Sequence, residues 1–186
     1  FNRNPLEYFD EPLRSSLTDK SLRTVEPRGG FFAYDIHGTA QGSWFQEETG
    51  GVSGVTSAVY NPYEHYSFGH LALIPDNLEP FRLRVGIGDG FQDDDQAHIW
   101  GVTGDAPEFN TVTPESGPTT YEIRQTLPCD GSPITVPSRA RNFGCNAHPM
   151  GTLLIELLDA RTMRVEVFFN VSPTSGPTFT GNSRTY

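Results

Sequence analysis

Three groups of residues in this 186-residue chain have types that could do chemistry: five histidines, a crowd of aspartates at 88–96, and the pair Cys145 and His148. The histidines are His37, His65, His70, His98 and His148. No two of them have the helical or alternating spacing that turns two imidazoles toward one metal ion. His65 and His70 fall on opposite faces of any strand running through both. Asp35 and His37 share one parity, so on a strand the carboxylate would orient the imidazole as in catalytic or metal-bound histidines. The stretch "GDGFQDDDQ" offers Asp89, Asp93 and Asp95 as oxygen ligands for a hard cation such as Ca2+. It lacks the spacing and distal Glu of the helix–loop–helix calcium motif, and a solvated acidic turn competes with the cation reading. Cys145 beside His148 has the parts of a thiol dyad, which a disulfide to Cys129 would remove. Neither a Gly-x-Ser-x-Gly elbow nor a phosphate-cradling glycine loop is present.

A ligand site is the other kind of chemistry. In "FFAYDIHGTAQGSWF", residues 31–45, the even positions Phe32, Tyr34, Ile36, Gly38, Ala40, Gly42 and Trp44 are apolar or tiny, whereas the odd positions from Asp35 are polar. Read as one strand of about 13 residues, it would be about 43 Å long, and the small residues on its inner face would permit a strong bend or leave unfilled volume. Tyr34, Trp44, Phe81, Trp100 and Tyr121 then supply walls or core filler, with His37 as a polar anchor. Such a mostly apolar pocket with few polar groups has the usual character of a small-molecule site. The tripeptide Gly42, Ser43, Trp44, followed by Phe45, resembles the Gly-x-Trp of the first strand of lipocalin-like barrels, where the Trp closes one end of the cup. Here the same residues would end a strand that begins near Phe32, and no later motif of that family follows, so membership is not claimed.

The elements that must position these residues are predominantly strands. Residues 1–30 form an N-terminal arm, with Asp10 expected to cap a short helix, Pro12 in its first turn and Leu13 and Leu17 one turn apart. From Phe31 onward, period-2 segments alternate with turn residues. "PFRLRVGIGD" sets Phe81, Leu83, Val85 and Ile87 on one face, and "TTYEIRQTL" does the same with Tyr121, Ile123 and Leu127. "GTLLIELL" and "TMRVEVFF" are joined through Asp159, Ala160 and Arg161, a connection short enough to demand an antiparallel hairpin. With "VYNPYEHYSFGH", "HLALIPD" and "AHIWGVTG", the total is about eight strands. Residues 31–170 are the sheet domain and 171–186 a tail rich in Thr, Ser, Gly and Pro.

Composition agrees. Nineteen Gly, 15 Pro and 12% aromatic residues, with 35% hydrophobic content, suit an all-β fold rich in turns. The length suits one domain. A net charge of −10 repels phosphate backbones and anionic membranes, which argues against nucleic acid as a partner. No apolar run approaches the roughly 18 residues of a membrane-spanning helix. Cys129 and Cys145 bracket "DGSPITVPSRARNFG", a Pro-stiffened loop in which Arg139 and Arg141 form a plausible recognition element. A bracketing pair in a chain that starts without Met favours a disulfide, a removed leader and an extracellular or periplasmic setting.

These readings converge on an all-β protein: a single antiparallel β-barrel of about eight strands, with a β-sandwich as the alternative. Three functions compete. The first is non-catalytic binding of a small or partly apolar ligand by Tyr34, His37, Trp44, Phe81 and Trp100. The second is a structural or assembly module that self-associates through its terminal arms and sheet edges. The third is a hydrolase using Asp35 and His37.

Overall fold

The hairpin signal between residues 151 and 169 forms where the sequence puts it. Leu158 N donates to Thr162 O (2.9 Å), and Arg161 N donates to Asp159 Oδ1 (2.7 Å), so the connection is a tight turn. Around it the computed structural model, which describes residues 4–31, 33–49, 69–88, 98–103, 105–128 and 143–186, is mostly sheet. The strands are β1 (Gly42–Phe45), β2 (His70–Pro75), β3 (Leu83–Ile87), β4 (His98–Thr103), β5 (Thr119–Pro128), β6 (Phe143–Leu157), β7 (Met163–Phe169) and β8 (Arg184–Thr185). Each pairs antiparallel with the next in chain order, giving one eight-stranded sheet curled into a half-barrel. A single sheet in this order is barrel-like, and among the described residues there is no second sheet.

Register explains the core. Leu71 pairs with Ile87, Leu73 with Val85, and Val85 with Trp100, while Leu153, Ile155 and Leu157 lie opposite Val167, Val165 and Met163. Period-2 alternation therefore sends Leu71, Leu73, Val85, Trp100, Tyr121, Ile123, Ile155 and Val165 to one concave face, where all are buried. Each such side chain stabilises the fold by roughly 1.5–3 kcal/mol. Ala40, Phe109 and Val112 complete this core from the connections, with Phe109 against Tyr121 at 5.0 Å between ring centroids.

At one point the two edges of the sheet touch. Glu47 N, just beyond β1, donates to Thr185 O of β8 (2.8 Å), and Arg184 Nη1 reaches Gln46 Oε1 (3.3 Å). The tail that leads to β8 is docked on the convex side of β7. Buried Glu166 accepts from Thr180 N (2.7 Å) and from the Thr180 hydroxyl, and the Arg164 guanidinium lies 4.3 Å from the Phe179 ring centroid.

Three local expectations are corrected. The long first strand does not form: the chain turns at Gly38, whose φ of +78° is left-handed, and only Gly42–Phe45 joins the sheet. The Gly42–Trp44 tripeptide thus opens the first strand instead of ending it. The N-terminal helix α1 (Leu13–Lys20) has Pro12 at its N-cap with no side-chain cap; Glu11, not Asp10, reaches in, accepting from Ser15 N and Oγ. Phe81 does not continue the inner face of β3. It sits in the β2–β3 turn, 73% exposed, because Arg82 N bonds Glu79 O and Arg82 O accepts from Asp76 N.

Several expectations fall outside the described residues: His65 and its tyrosine-rich segment, Asp89, Asp93 and Asp95 of the acidic loop with its Ca2+ reading, Arg139, Arg141, and Cys129. Cys145 stands on β6 opposite Leu127.

Asp76 organises the β2–β3 turn. Its Oδ1 accepts from Leu78 N (2.8 Å) and Glu79 N (3.0 Å), and its Oδ2 from Arg84 Nε (2.8 Å). Burial pushes its pKa up, but the two backbone N–H groups and the Arg84 guanidinium together outweigh burial and hold the carboxyl below its usual range. A carboxylate depressed in the folded state stabilises the fold above its ordinary pKa, and that contribution disappears as pH falls through the folded value. Asp76→Asn is expected to cost about 1–3 kcal/mol at neutral pH. In urea melts it should also lose less stability than wild type as pH falls below about 4; an identical acid limb would contradict the assignment.

Candidate functional site

The turn at Gly38 makes residues 33–41 a loop that precedes the sheet, and hydrogen bonds within it and to β1 hold it in place. Ile36 N donates to Gln41 O (3.0 Å), Gln41 Nε2 donates to Tyr34 O (2.7 Å), and Ser43 N donates to Asp35 Oδ1 (2.8 Å). Ala40 N is tied to Val112 O (2.9 Å), and Ala40 O accepts from the Trp44 indole Nε1 (2.9 Å). Those last two bonds fix the loop to the core and fix the Trp44 ring beside it.

Two depressions flank this loop. The larger, about 470 Å³, lies between the loop, β1 and the β6–β7 turn; His37, Trp44, Phe45, Arg161 and Tyr186 are among its walls. The smaller, about 330 Å³, lies on the other side, between the arm, the β2–β3 turn and residues 108–110; Arg23, Phe31, Tyr34 and Leu83 help line it. Only Ile36 and Gln41 border both.

The ligand-wall residues read from the sequence are thereby distributed. His37 and Trp44 come together in the larger depression, and Tyr34 faces the smaller one. Trp100 is 2% exposed in the core, stacked on His98 (5.7 Å between centroids) and edge-on to Phe169 (5.9 Å). Phe81 borders neither depression, with Arg82 over its ring at 5.7 Å. Among the described residues the concave face carries Tyr121, Leu73, Ile155 and their buried neighbours, and the two depressions lie at the loop.

The Asp35 and His37 pair does not act as a unit. Asp35 commits Oδ1 to Ser43 N, and among the described residues no hydrogen bond joins it to His37, which is exposed beside Gly38 at the turn. Asp35 is a backbone acceptor that pins the loop to β1. Among the described residues no group of three or more His, Cys, Asp or Glu is arranged to hold a metal ion.

Sequence reasoning missed Arg161 and Arg23 as site residues. Arg161 was visible as part of a hairpin turn, but the long-strand reading of 31–45 put His37 and Trp44 in a different surrounding. Arg23 sits in an arm with no periodicity, and the group it bonds, Asn77, is 54 positions away.

If Asp35 is a structural acceptor, Asp35→Asn, which keeps Oδ1, should leave stability almost unchanged, while Asp35→Ala should cost about 1 kcal/mol. Thermal melts of the two variants check this; equal losses would show that the carboxylate charge, not the acceptor, is what matters. In comparison with known proteins, no family model, no curated protein and no solved structure matches this chain, so its own geometry is the ground for a functional reading.

Proposed function

We propose that this chain is a non-catalytic binding protein that holds a small, partly apolar molecule in the depression beside Trp44. The observation that carries the reading is the fixed indole of Trp44, half-buried and tethered through Nε1 to Ala40 O, at the wall of a 470 Å³ depression rimmed by His37 and Arg161. A ring already held in place loses little freedom when a ligand packs on it. The apolar wall from Ile36, Trp44 and Phe45 would take the ligand's body, and Arg161 and His37 would orient a polar end. Binding is favoured over hydrolysis because Asp35 makes its hydrogen bond to Ser43 N and none to His37, so His37 has no carboxylate partner in this arrangement.

Protein-observed NMR with a panel of aromatic and aliphatic amphiphiles tests this. Binding is expected to move the Trp44 indole resonance together with the His37 and Arg161 backbone amides, and Trp44→Ala should weaken affinity by about tenfold or more. A panel that moves none of the three, or that binds Trp44→Ala equally well, would overturn the reading.

A second reading has one observation in its favour: Tyr8, Phe9, Leu13 and Val25 are all exposed along the arm. A row of large apolar side chains on one terminal segment supports self-association through it. The tail, by contrast, is occupied within its own fold at Glu166 and Arg164. Sedimentation at increasing concentration is expected to show dimers that vanish on Leu13→Asp; a monomer throughout would exclude association through the arm.

A further inference from the structure

The geometry points to a second binding site, in the smaller depression beside Arg23, for a small molecule that carries a single carboxylate on an aromatic or aliphatic body. Arg23 is 4% exposed and lines this depression. Its Nη1 donates to Asn77 O, but its Nε is buried without a hydrogen-bond partner, and among the described residues no carboxylate pairs with it. Buried cations in folded proteins are compensated, because an unpaired charge out of water is costly. Here a guanidinium is buried beside open volume and only partly satisfied by the protein. A carboxylate entering that volume would supply the opposite charge that no described side chain supplies.

The walls define the rest of the ligand. Phe31 and Tyr34 meet edge to face at 5.9 Å, and Pro75 and Leu83 close the opposite side, so the body of the ligand is apolar. One residue positions both ends of the site. Asn77 takes Arg23 on its backbone oxygen and the Tyr34 hydroxyl on Oδ1 (2.6 Å). Gly30, at φ +70°, permits that arrangement, since a Cβ there would collide with Asn77 Oδ1. The site is therefore built before any ligand arrives. Glu108, exposed at the rim, repels any anion and a dianion such as phosphate more than a monoanion. A volume of about 330 Å³ sits at the small end of ligand pockets, which suits a single ring or short chain.

Titration calorimetry of the full chain with phenylacetate, and with phenylacetamide as the neutral control, tests the site. Phenylacetate is expected to bind at least about tenfold more tightly than the amide, and Arg23→Gln to lose about the same factor. Because Arg23 also anchors the arm on Asn77, Arg23→Gln is paired with Ala33→Leu, which keeps the guanidinium and fills the cavity; it should abolish binding in a protein that melts like wild type. Trp44→Ala should leave phenylacetate binding unchanged, which separates this site from the larger depression. The proposal is overturned by no detectable heat from phenylacetate at about 10 mM. It is equally overturned by equal binding of the amide, or by binding that survives Ala33→Leu.

Discussion

The left-handed turn at Gly38 is the constraint on which the arrangement of space in this protein depends. Had residues 32–44 run on as one strand, their small side chains would have faced the concave core and their polar row the solvent. Instead the chain reverses at φ +78°, Ile36 N closes onto Gln41 O, and the residues before Gly42 leave the sheet. Ala40 is then the contact that matters most: its amide and carbonyl bond Val112 O and the Trp44 indole, so one buried residue fastens loop, connection and first strand together. A loop held off the sheet in this way has two sides, and each side is a depression.

Packing and polarity divide between these regions. Inside the half-barrel, alternation fills the volume with Leu, Val, Ile, Trp and Tyr, and the burial of Tyr121 pushes its hydroxyl pKa well above the usual tyrosine range. Around the loop, polar groups are instead answered locally: Asp35 by the backbone at Ser43 N, Asp76 by the backbone at Leu78 N and Glu79 N, and the Tyr34 hydroxyl by the Asn77 side chain. Such local acceptors make irregular segments as well defined as strands, because each buried or half-buried polar atom has one place to go. Arg23 and Arg28 are exceptions, each with a buried Nε that has no hydrogen-bond partner.

How much of this was legible in the sequence depends on range. The all-β class, the β6–β7 hairpin and the inner faces of β3 and β5 rest on period-2 alternation and short turns, which a sequence displays directly. Phe81 broke the pattern because the Asp76 carboxylate and the Arg82 backbone close the β2–β3 turn over its position, an effect of a residue five places upstream. The 31–45 stretch misled because parity is meaningful only while a chain stays extended, and a single glycine in the left-handed region cancels it. His37 and Trp44 border one depression, but in a surrounding other than the expected strand, since Arg161 joins that depression only through the fold of the sheet. The Arg23 site had no linear signal: its walls come from the arm, the β2–β3 turn and residues 108–110, and only tertiary structure assembles them.

We propose that ligands bind on the two sides of the 33–41 loop, where the two depressions lie. Diffraction from crystals soaked in several small organic solvents tests it most directly, since such molecules collect where a protein offers unfilled, partly apolar volume. The account predicts that they cluster beside Trp44 and beside Arg23, with none among Leu73, Val85, Tyr121 and Ile155. Solvent molecules lodged among those four core residues, with both loop depressions empty, would contradict it.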